Sequence, residues 1–222
     1  MNKLGLRLQT LADLVPQSSR LADIGSDHAK IPIYLVEKSR VNYVLAGEVA
    51  KGPFNIAKEQ SQDYPEIQVR LADGLDAIYE EDKIETILIA GMGGRLITEI
   101  LEKGKEKLTS VSYLILQANN EEANLRYWLQ ENNFQIKKEF ILEEKKKIYE
   151  IVFAQKGKMN LTDKELKYGL FLEKSEVFKK KWQFRLSEIK KILNLLPDSE
   201  FLEKEKLKLE KQEIEDLLNE NN

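Results

Sequence analysis

The chain contains no cysteine and a single histidine, and these two shortages exclude several kinds of site. Without cysteine it can form neither a disulfide framework nor a thiolate zinc site. With only His28 available, a zinc centre built on paired histidines is excluded too, and we predict no metal. No apolar run approaches the roughly 20 residues that a membrane helix needs, and the first residues lack the apolar core of a signal peptide. We therefore expect a cytoplasmic protein with no membrane contact.

The chain also lacks a strong excess of either charge, because it has 35 Lys and Arg and 38 Asp and Glu in 222 residues. A net charge of −3 argues against a general nucleic-acid binder. The distribution is uneven, however. Residues 156–191 carry eleven basic and five acidic side chains, whereas residues 192–222 carry four and nine. A basic segment followed by an acidic one is a polarity that a polyanionic partner could use, although it is also typical of solvated helix faces.

The first two thirds of the chain alternate short apolar runs with helical patterns. An amphipathic helix over 3–15 comes first, and five strand-helix units follow it. The last two runs alternate in period two with no helix between them, which predicts an antiparallel hairpin. The predicted strands are 20–25, 41–49, 67–71, 84–90, 111–116, 134–142 and 147–154. This order predicts an α/β fold with a doubly wound, mostly parallel seven-stranded sheet of Rossmann-like type.

After residue 156 the strand pattern stops and a helical one begins. Apolar residues from Phe171 to Leu196 are mostly three or four apart, the spacing of a coiled-coil seam. Pro197 interrupts them before a second such stretch. We predict two long antiparallel helices, the first starting near Thr162. The sequence thus predicts two domains, 1–156 and 157–222.

Polar residues and glycines mark the ends of the predicted strands, where ligands bind in such sheets. The first turn, Gly25-Ser26-Asp27, has one glycine followed by an acid instead of the Gly-x-Gly-x-x-Gly of dinucleotide sites. A phosphate would be repelled there. S-adenosylmethionine carries no phosphate but has a sulfonium, an amino group and a ribose diol, so it suits an acidic turn better.

Three acids at successive strand ends could each bind a different part of S-adenosylmethionine. Asp23 can attract the cationic methionine end, and Glu48 can accept hydrogen bonds from both ribose hydroxyls. Asp73 can bind the exocyclic amine of the adenine ring. Gly25 would let the backbone approach the ligand closely. Each acid alone could be a turn residue or helix cap, but three at successive strand ends favour a cofactor site.

Five motifs of the chain also occur together in a known family. They are Asp23–Ala29, Gly47–Val49, Ala72–Leu75, Ile89–Gly94 and Leu116–Asn120. With them the chain, from about residue 4 to residue 155, closely resembles the bacterial tRNA (adenine-22-N1)-methyltransferase family, and the helical hairpin behind resembles that family's arm. Ala118 departs from the pattern, which has proline there. The resemblance implies a class I fold, S-adenosylmethionine as methyl donor, and N1 of adenine 22 in the D-arm region of tRNA as acceptor.

The resemblance and the strand-end pattern together give a set of candidate site residues. The cofactor set is Asp23, Gly25, Ser26, Glu48, Val49, Asp73, Gly74, Leu75, Ala90, Gly91, Met92 and Gly93. Asp27 is the first candidate to bind the exocyclic amine of the target adenine in tRNA and to stabilise the cationic product. Its alternative role is capping of the following helix. The other candidates for catalysis are His28 as proton acceptor and Asn119 and Asn120 as readers of the base edge.

Cations on the predicted arm could follow tRNA phosphates without reading bases. They are Lys179, Lys180, Lys181, Arg185, Lys190 and Lys191. We expect a monomer, with pairing through the coiled coil as the alternative. Two other functions remain open: a small-molecule methyltransferase of the same fold, and a non-catalytic scaffold that retains a vestigial cofactor site.

Overall fold

Seven strands form one sheet in the computed structural model, which describes residues 4–171, 175–197 and 199–219. The strands are β1 Arg20–Ile24, β2 Tyr43–Glu48, β3 Ile67–Leu71, β4 Thr86–Met92, β5 Tyr113–Ala118, β6 Phe134–Glu144 and β7 Lys147–Lys156. Their order across the sheet is β3-β2-β1-β4-β5-β7-β6, with β1 to β5 parallel and β7 antiparallel to both of its neighbours. The sequence-based prediction of the fold is confirmed.

The central strands are apolar because helices cover both of their faces. In β1 every residue after Arg20 is buried, and β5 is buried throughout after Tyr113. The first five strands end at one edge of the sheet. Chain order reverses on the two sides of β1, which pairs with both β2 and β4. A crevice opens beyond the carboxyl ends of strands at such a point.

Eight α-helices lie within the part of the chain that the structure describes. They are α1 Leu6–Leu14, α2 Lys30–Glu37, α3 Lys51–Gln60, α4 Gly94–Lys103, α5 Glu122–Glu131, α6 Asp163–Tyr168, α7 Glu176–Leu195 and α8 Phe201–Asn219. An extensive apolar cluster joins Leu11 of α1 and Leu35 of α2 to Leu88 of β4 and Ile115 of β5, all at most 1% exposed. This packing fixes α1 against the sheet.

A buried ion triad closes the β6–β7 side of the sheet. The guanidinium of Arg126, on α5, is fully buried and donates to Glu139 on β6 at 2.7 Å and to Glu150 on β7 at 2.6 Å. A third hydrogen bond runs from Nη1 to the backbone oxygen of Leu166 in α6 at 3.2 Å. The triad therefore ties α5, α6 and the terminal hairpin together.

The chain divides into two compact units, 1–169 and 170–222. The sequence had placed the division after residue 156. Residues 157–169 belong to the first unit because Leu161 is buried there, its backbone N–H donates to Gln130 at 2.6 Å, and α6 is held by Arg126. The prediction of one helix from Thr162 to about Leu196 was wrong. The helix that starts after Thr162 ends at Tyr168, and Gly169 follows with φ 86°, outside the helical region.

The second unit contains the predicted antiparallel helix pair, α7 and α8. Ile189 of α7 and Ile214 of α8 are fully buried, as the seam pattern predicted. Across the pair, Arg185 donates to both carboxylate oxygens of Glu210, at 2.8 and 2.9 Å. None of the helices within residues 4–171, 175–197 and 199–219 is long and apolar enough to cross a membrane.

Candidate active site

The turn after β1 has an unusual backbone. Gly25 has φ 73°, and Asp27, His28 and Ala29 follow with φ 45°, 70° and 55°. Three consecutive non-glycine residues in the left-handed region cost about 1–2 kcal/mol each, so the surrounding structure must hold them there. Helix capping was the alternative role of Asp27, but α2 begins only at Lys30, and its N-cap is Ala29. Asp27 is therefore not the cap of this helix.

Asp23 is the last buried acid before this turn. Its side chain is 2% exposed and accepts a hydrogen bond of 2.6 Å from the Ser26 hydroxyl. Burial raises the pKa of the Asp23 carboxyl from 3.8 to about 7, with the Ser26 hydrogen bond opposing the rise and the charges of Glu48 and Asp27 adding to it. The ionised form is thus disfavoured until a cation arrives.

Glu48, at the end of β2, holds the turn in place. Its Oε1 accepts from the backbone N–H of Asp27 at 2.8 Å. Burial raises the pKa of the Glu48 carboxyl, although this hydrogen bond lowers it again. The sequence predicted that Glu48 accepts hydrogen bonds from both ribose hydroxyls, and in the structure one of its carboxylate oxygens already accepts from the Asp27 backbone. Val49, the next residue, is 68% exposed.

The crevice between β1 and β4 is nearly closed. The methyl of Met92 lies against Gly25, so a Cβ at this position would require the Met92 side chain to move. The remaining cavity of about 30 Å³ is bordered by Asp23, Ser26 and Ala90 and by Arg7 of α1. The carboxylate of Asp23 suits a cationic ligand, but the volume of this cavity is too small for one the size of S-adenosylmethionine. A ligand the size of S-adenosylmethionine needs more room than this cavity gives, and the flexible Met92 side chain beside Gly25 is one group that can move.

A second cavity of about 180 Å³ lies beyond β3. Asp73, Gly74 and Leu75 line it together with Lys103 of α4. Lys103 donates to Asp73 at 2.8 Å and to Asp76 at 3.1 Å, so the carboxylate assigned to the adenine amine has a cation partner already. Both ions are more than half exposed, and water can replace this pair at little cost.

A third, open cavity of about 480 Å³ lies beyond β4 and β5. Arg7, Gly91, Asn119 and Tyr149 are among its lining residues. Arg7 donates to Gln117 at 2.8 Å and lies 5.3 Å from the ring centroid of Tyr149. Since Arg7 borders the crevice beside Asp23 as well, it marks the boundary between the two cavities.

Polar groups at the end of β5 and in the turn after it form hydrogen bonds that link the wall of this cavity to β4. The Gln117 amide donates to Asn119 at 3.0 Å, and Asn119 donates to the backbone oxygen of Gly91 at 2.7 Å. Asn120 contributes backbone instead, because its carbonyl oxygen accepts from Gly94 at 3.0 Å. The carboxamide of Asn120 lies against Gly93. Asn119 thus borders the cavity, whereas Asn120 supports the glycine turn.

Asp27 and His28 lie at the mouth of the crevice. A hydrogen bond from Lys30 at 3.0 Å lowers the pKa of the Asp27 carboxyl, and that side chain is 67% exposed. His28 Nε2 is 3.8 Å from Asp27 Oδ1. Asp27 is accordingly ionised and accessible to a ligand, and His28 lies beside it.

The cations predicted on the arm differ in their surroundings. Arg185 is bound to Glu210, Lys190 lies 3.3 Å from Glu215, and Lys179 lies 3.5 Å from Glu176. Lys180 and Lys181 also have interaction partners, and Lys191 is exposed. In this structure Arg185 therefore serves to stabilise the pairing of α7 with α8.

Sequence reasoning missed Arg7, Lys103 and Tyr149. It placed Gln117 in one of the quoted motifs, but nothing in the sequence connected Gln117 with Arg7, 110 residues earlier. Within the described residues no cluster of three or more His, Asp or Glu side chains could hold a metal ion.

The sheet order, the terminal antiparallel hairpin and the acidic crevice at the β1–β4 switch point place the chain among the Rossmann-like class I methyltransferases. Comparison with known proteins narrows the class. The family model of tRNA (adenine(22)-N(1))-methyltransferase matches residues 21–222, and the chain belongs to this family. The family predicted from the sequence motifs is confirmed.

Individual relatives agree with this membership. A Bacillus subtilis (strain 168) tRNA (adenine(22)-N(1))-methyltransferase is 40% identical over 223 residues, covering 93% of this chain and 91% of the relative. A Streptococcus agalactiae protein of the NADB-Rossmann superfamily is 44% identical with a TM-score of 0.94, covering 98% of both chains. A Streptococcus pneumoniae protein crystallised with S-adenosyl-L-methionine is 43% identical with a TM-score of 0.91, covering 97% of this chain and 100% of that one.

Proposed function

We propose that this chain transfers the methyl group of S-adenosylmethionine to N1 of adenine 22 in tRNA, the activity for which its family is named. The electrostatics of the crevice carry the proposal. Asp23 and Glu48 are both buried, and burial raises the pKa of each carboxyl, so a cationic ligand would stabilise their ionised forms. A ligand with a positive methionine end and a ribose diol supplies that cation and uses both acids.

The residues around the crevice fit a direct displacement. S-adenosylmethionine supplies a methyl carbon bonded to a sulfonium leaving group. Adenine N1 has an in-plane lone pair, so it attacks that carbon without losing a proton, the carbon–sulfur bond breaks, and the base becomes cationic. Asp27, ionised at the mouth of the crevice, can accept from the exocyclic amine and stabilise the new positive charge. Arg7 and Asn119 line the cavity next to it, where the base would enter.

Incubation with labelled S-adenosylmethionine and unmodified total tRNA, followed by nucleoside analysis, tests this function. We expect 1-methyladenosine, and no label in a matched transcript in which guanine replaces adenine 22. A small-molecule methyltransferase of the same fold would be indifferent to RNA, and a scaffold would transfer no label. Absence of 1-methyladenosine from every tRNA would refute the proposal.

The role of Asp27 has a separate test. Asp27→Asn keeps the shape but removes the charge, so we expect kcat to fall by about 10²-fold while the Kd for S-adenosylmethionine changes little. Asp13→Asn, an exposed acid of α1, is the matched control. An unchanged kcat in Asp27→Asn would remove Asp27 from catalysis.

The second unit is proposed to bind tRNA through its basic helix α7. A chain ending at Gly169 retains all of the first compact unit, including α6. It should therefore still bind S-adenosylmethionine and lose most of its tRNA affinity. Full tRNA affinity in the shortened chain would show that the arm is not needed for binding.

A further inference from the structure

Three consecutive lysines form the tip of the β6–β7 hairpin. Lys145, Lys146 and Lys147 are all exposed. Glu144 pairs with Lys147 across the ladder, so Lys145 and Lys146 make a two-residue turn, with φ 50° and 66°. Such a turn favours Asn and Gly, because both central residues are left-handed. Lysines at these positions therefore have no advantage for the turn itself.

The register places this tip over the site. Glu150 of β7 lies opposite Ala118, the last residue of β5. Lys147 precedes Glu150 by three residues, so the hairpin extends about 10 Å past the carboxyl end of β5. This is the edge of the sheet where Asp23 and Glu48 lie.

The tip also borders the 480 Å³ cavity directly. Lys147 lines it opposite Gly91 and Asn119, together with Arg7. Arg7 is held in a fixed orientation by Gln117 and by the ring of Tyr149. A nucleotide whose base enters this cavity must leave its phosphates at the rim, among these cations.

The positive charge of the tip is not neutralised nearby. Within the described residues no ion pair or hydrogen bond forms at the ammonium groups of Lys145, Lys146 and Lys147. The nearest acid in sequence, Glu144, accepts a long hydrogen bond of 3.4 Å from the backbone N–H of Arg7, so its carboxylate is directed to the first turn of α1. A carboxylate is favourable there because of the helix dipole.

We propose that the hairpin-tip surface, Lys145–Lys147 together with Arg7, binds the tRNA phosphates that flank the target adenosine. The proposal rests on the function proposed above and deepens it, since it gives the catalytic unit its own RNA contact, separate from the arm. Phosphate contacts of this kind fix register and orientation without reading sequence. The hairpin-tip surface sets where the backbone lies, and the cavity receives the base.

A pair of matched variants tests the surface. Lys145→Gln/Lys146→Gln removes two charges from the tip, and Lys137→Gln/Lys138→Gln removes two from exposed positions about 20 Å back along the same hairpin. For the tip pair we expect tRNA affinity to fall about five- to twentyfold and the slope of log K against log salt to decrease by about 1–2. KM for tRNA should rise while kcat at saturating tRNA stays within about twofold.

Two further measurements separate charge from structure. Lys145→Arg/Lys146→Arg should restore affinity and slope, and the Kd for S-adenosylmethionine should be the same in all variants. Equal tRNA affinity and equal salt slope in the tip and control pairs would overturn the proposal. If the unaltered protein makes no 1-methyladenosine but the tip pair still loses tRNA binding, the proposed function fails and the surface stands.

Discussion

Replacing Asp23 by asparagine should make the protein more stable at neutral pH while removing its cofactor binding. The folded protein holds the Asp23 carboxyl at a pKa of about 7, whereas an exposed aspartate ionises near 3.8. Between these values the unfolded chain is ionised and the folded one is not, so rising pH favours unfolding. The penalty grows by 1.36 kcal/mol per pH unit and reaches about 4 kcal/mol at pH 7, above which it is constant.

The Asp23→Asn variant would carry no such penalty, because the new amide resembles the protonated carboxyl and can still accept from Ser26. The stability difference between Asp23→Asn and the unaltered protein should therefore increase by about 3 kcal/mol from pH 5 to pH 8. Urea unfolding of both proteins at each pH measures this difference in the free energy of unfolding. Groups that titrate alike in both proteins contribute equally to each, so their contributions cancel in the difference. A difference that stays constant within about 0.5 kcal/mol would refute the reasoning, since Asp23 would then be ionised throughout.

Cofactor binding should show the opposite dependence. Only ionised Asp23 can pair with the cationic methionine end, so S-adenosylmethionine should bind roughly eightfold tighter at pH 7.5 than at pH 6. In Asp23→Asn binding should be weak at both values. Calorimetric titration of both proteins distinguishes this from a general effect of pH on the fold.

Three structural predictions follow from other contacts. Arg126→Met should lower the free energy of unfolding by about 3–5 kcal/mol, measured with urea, because two buried carboxylates lose their hydrogen bonds to the guanidinium. A loss below about 1 kcal/mol would contradict the triad. Gly94→Ala should lower the free energy of unfolding by about 1–3 kcal/mol, since its Cβ would lie 2.5 Å from the Glu121 carbonyl oxygen. An unchanged thermal unfolding temperature would show that the backbone at Glu121 moves away at no cost. A double-mutant cycle on Arg185 and Glu210 should give a coupling of about 1 kcal/mol at most, because both are partly exposed.

The parallel strands were predictable because burial on both faces imposes unbroken apolar runs. Ile87–Ile89 in β4 and Leu114–Leu116 in β5 are fully or almost fully buried, and no other element accommodates such short runs between helical patterns. The position of the crevice followed from the topology alone. The acid pair Asp23 and Glu48 was predictable for the same reason, since Glu48 is the last residue of β2 and Asp23 the second-last of the adjacent β1.

The side-chain network could not be predicted from the sequence, because its contacts are remote along the chain. Arg7 and Gln117 are 110 residues apart, and Lys103 and Asp73 are 30 apart. The left-handed run at Asp27–Ala29 was also missed. None of its three residues is a glycine, and one contact that holds them, the hydrogen bond from the backbone N–H of Asp27 to Glu48, joins residues that are 21 apart along the chain.

Charge is divided along the carboxyl edge of the sheet in a way that suits two oppositely charged ligands. The acids Asp23 and Glu48 lie at the ends of β1 and β2, whereas Arg7 and Lys147 border the cavity beyond β4 and β5. A cationic methyl donor is therefore favoured on one side and a polyanionic acceptor on the other. Both would meet where Arg7 borders the two cavities, close to the ionised Asp27. If the function proposed above is right, the methylated base is itself cationic, and the neighbouring cations that we propose to bind its phosphates would favour its departure from the cavity.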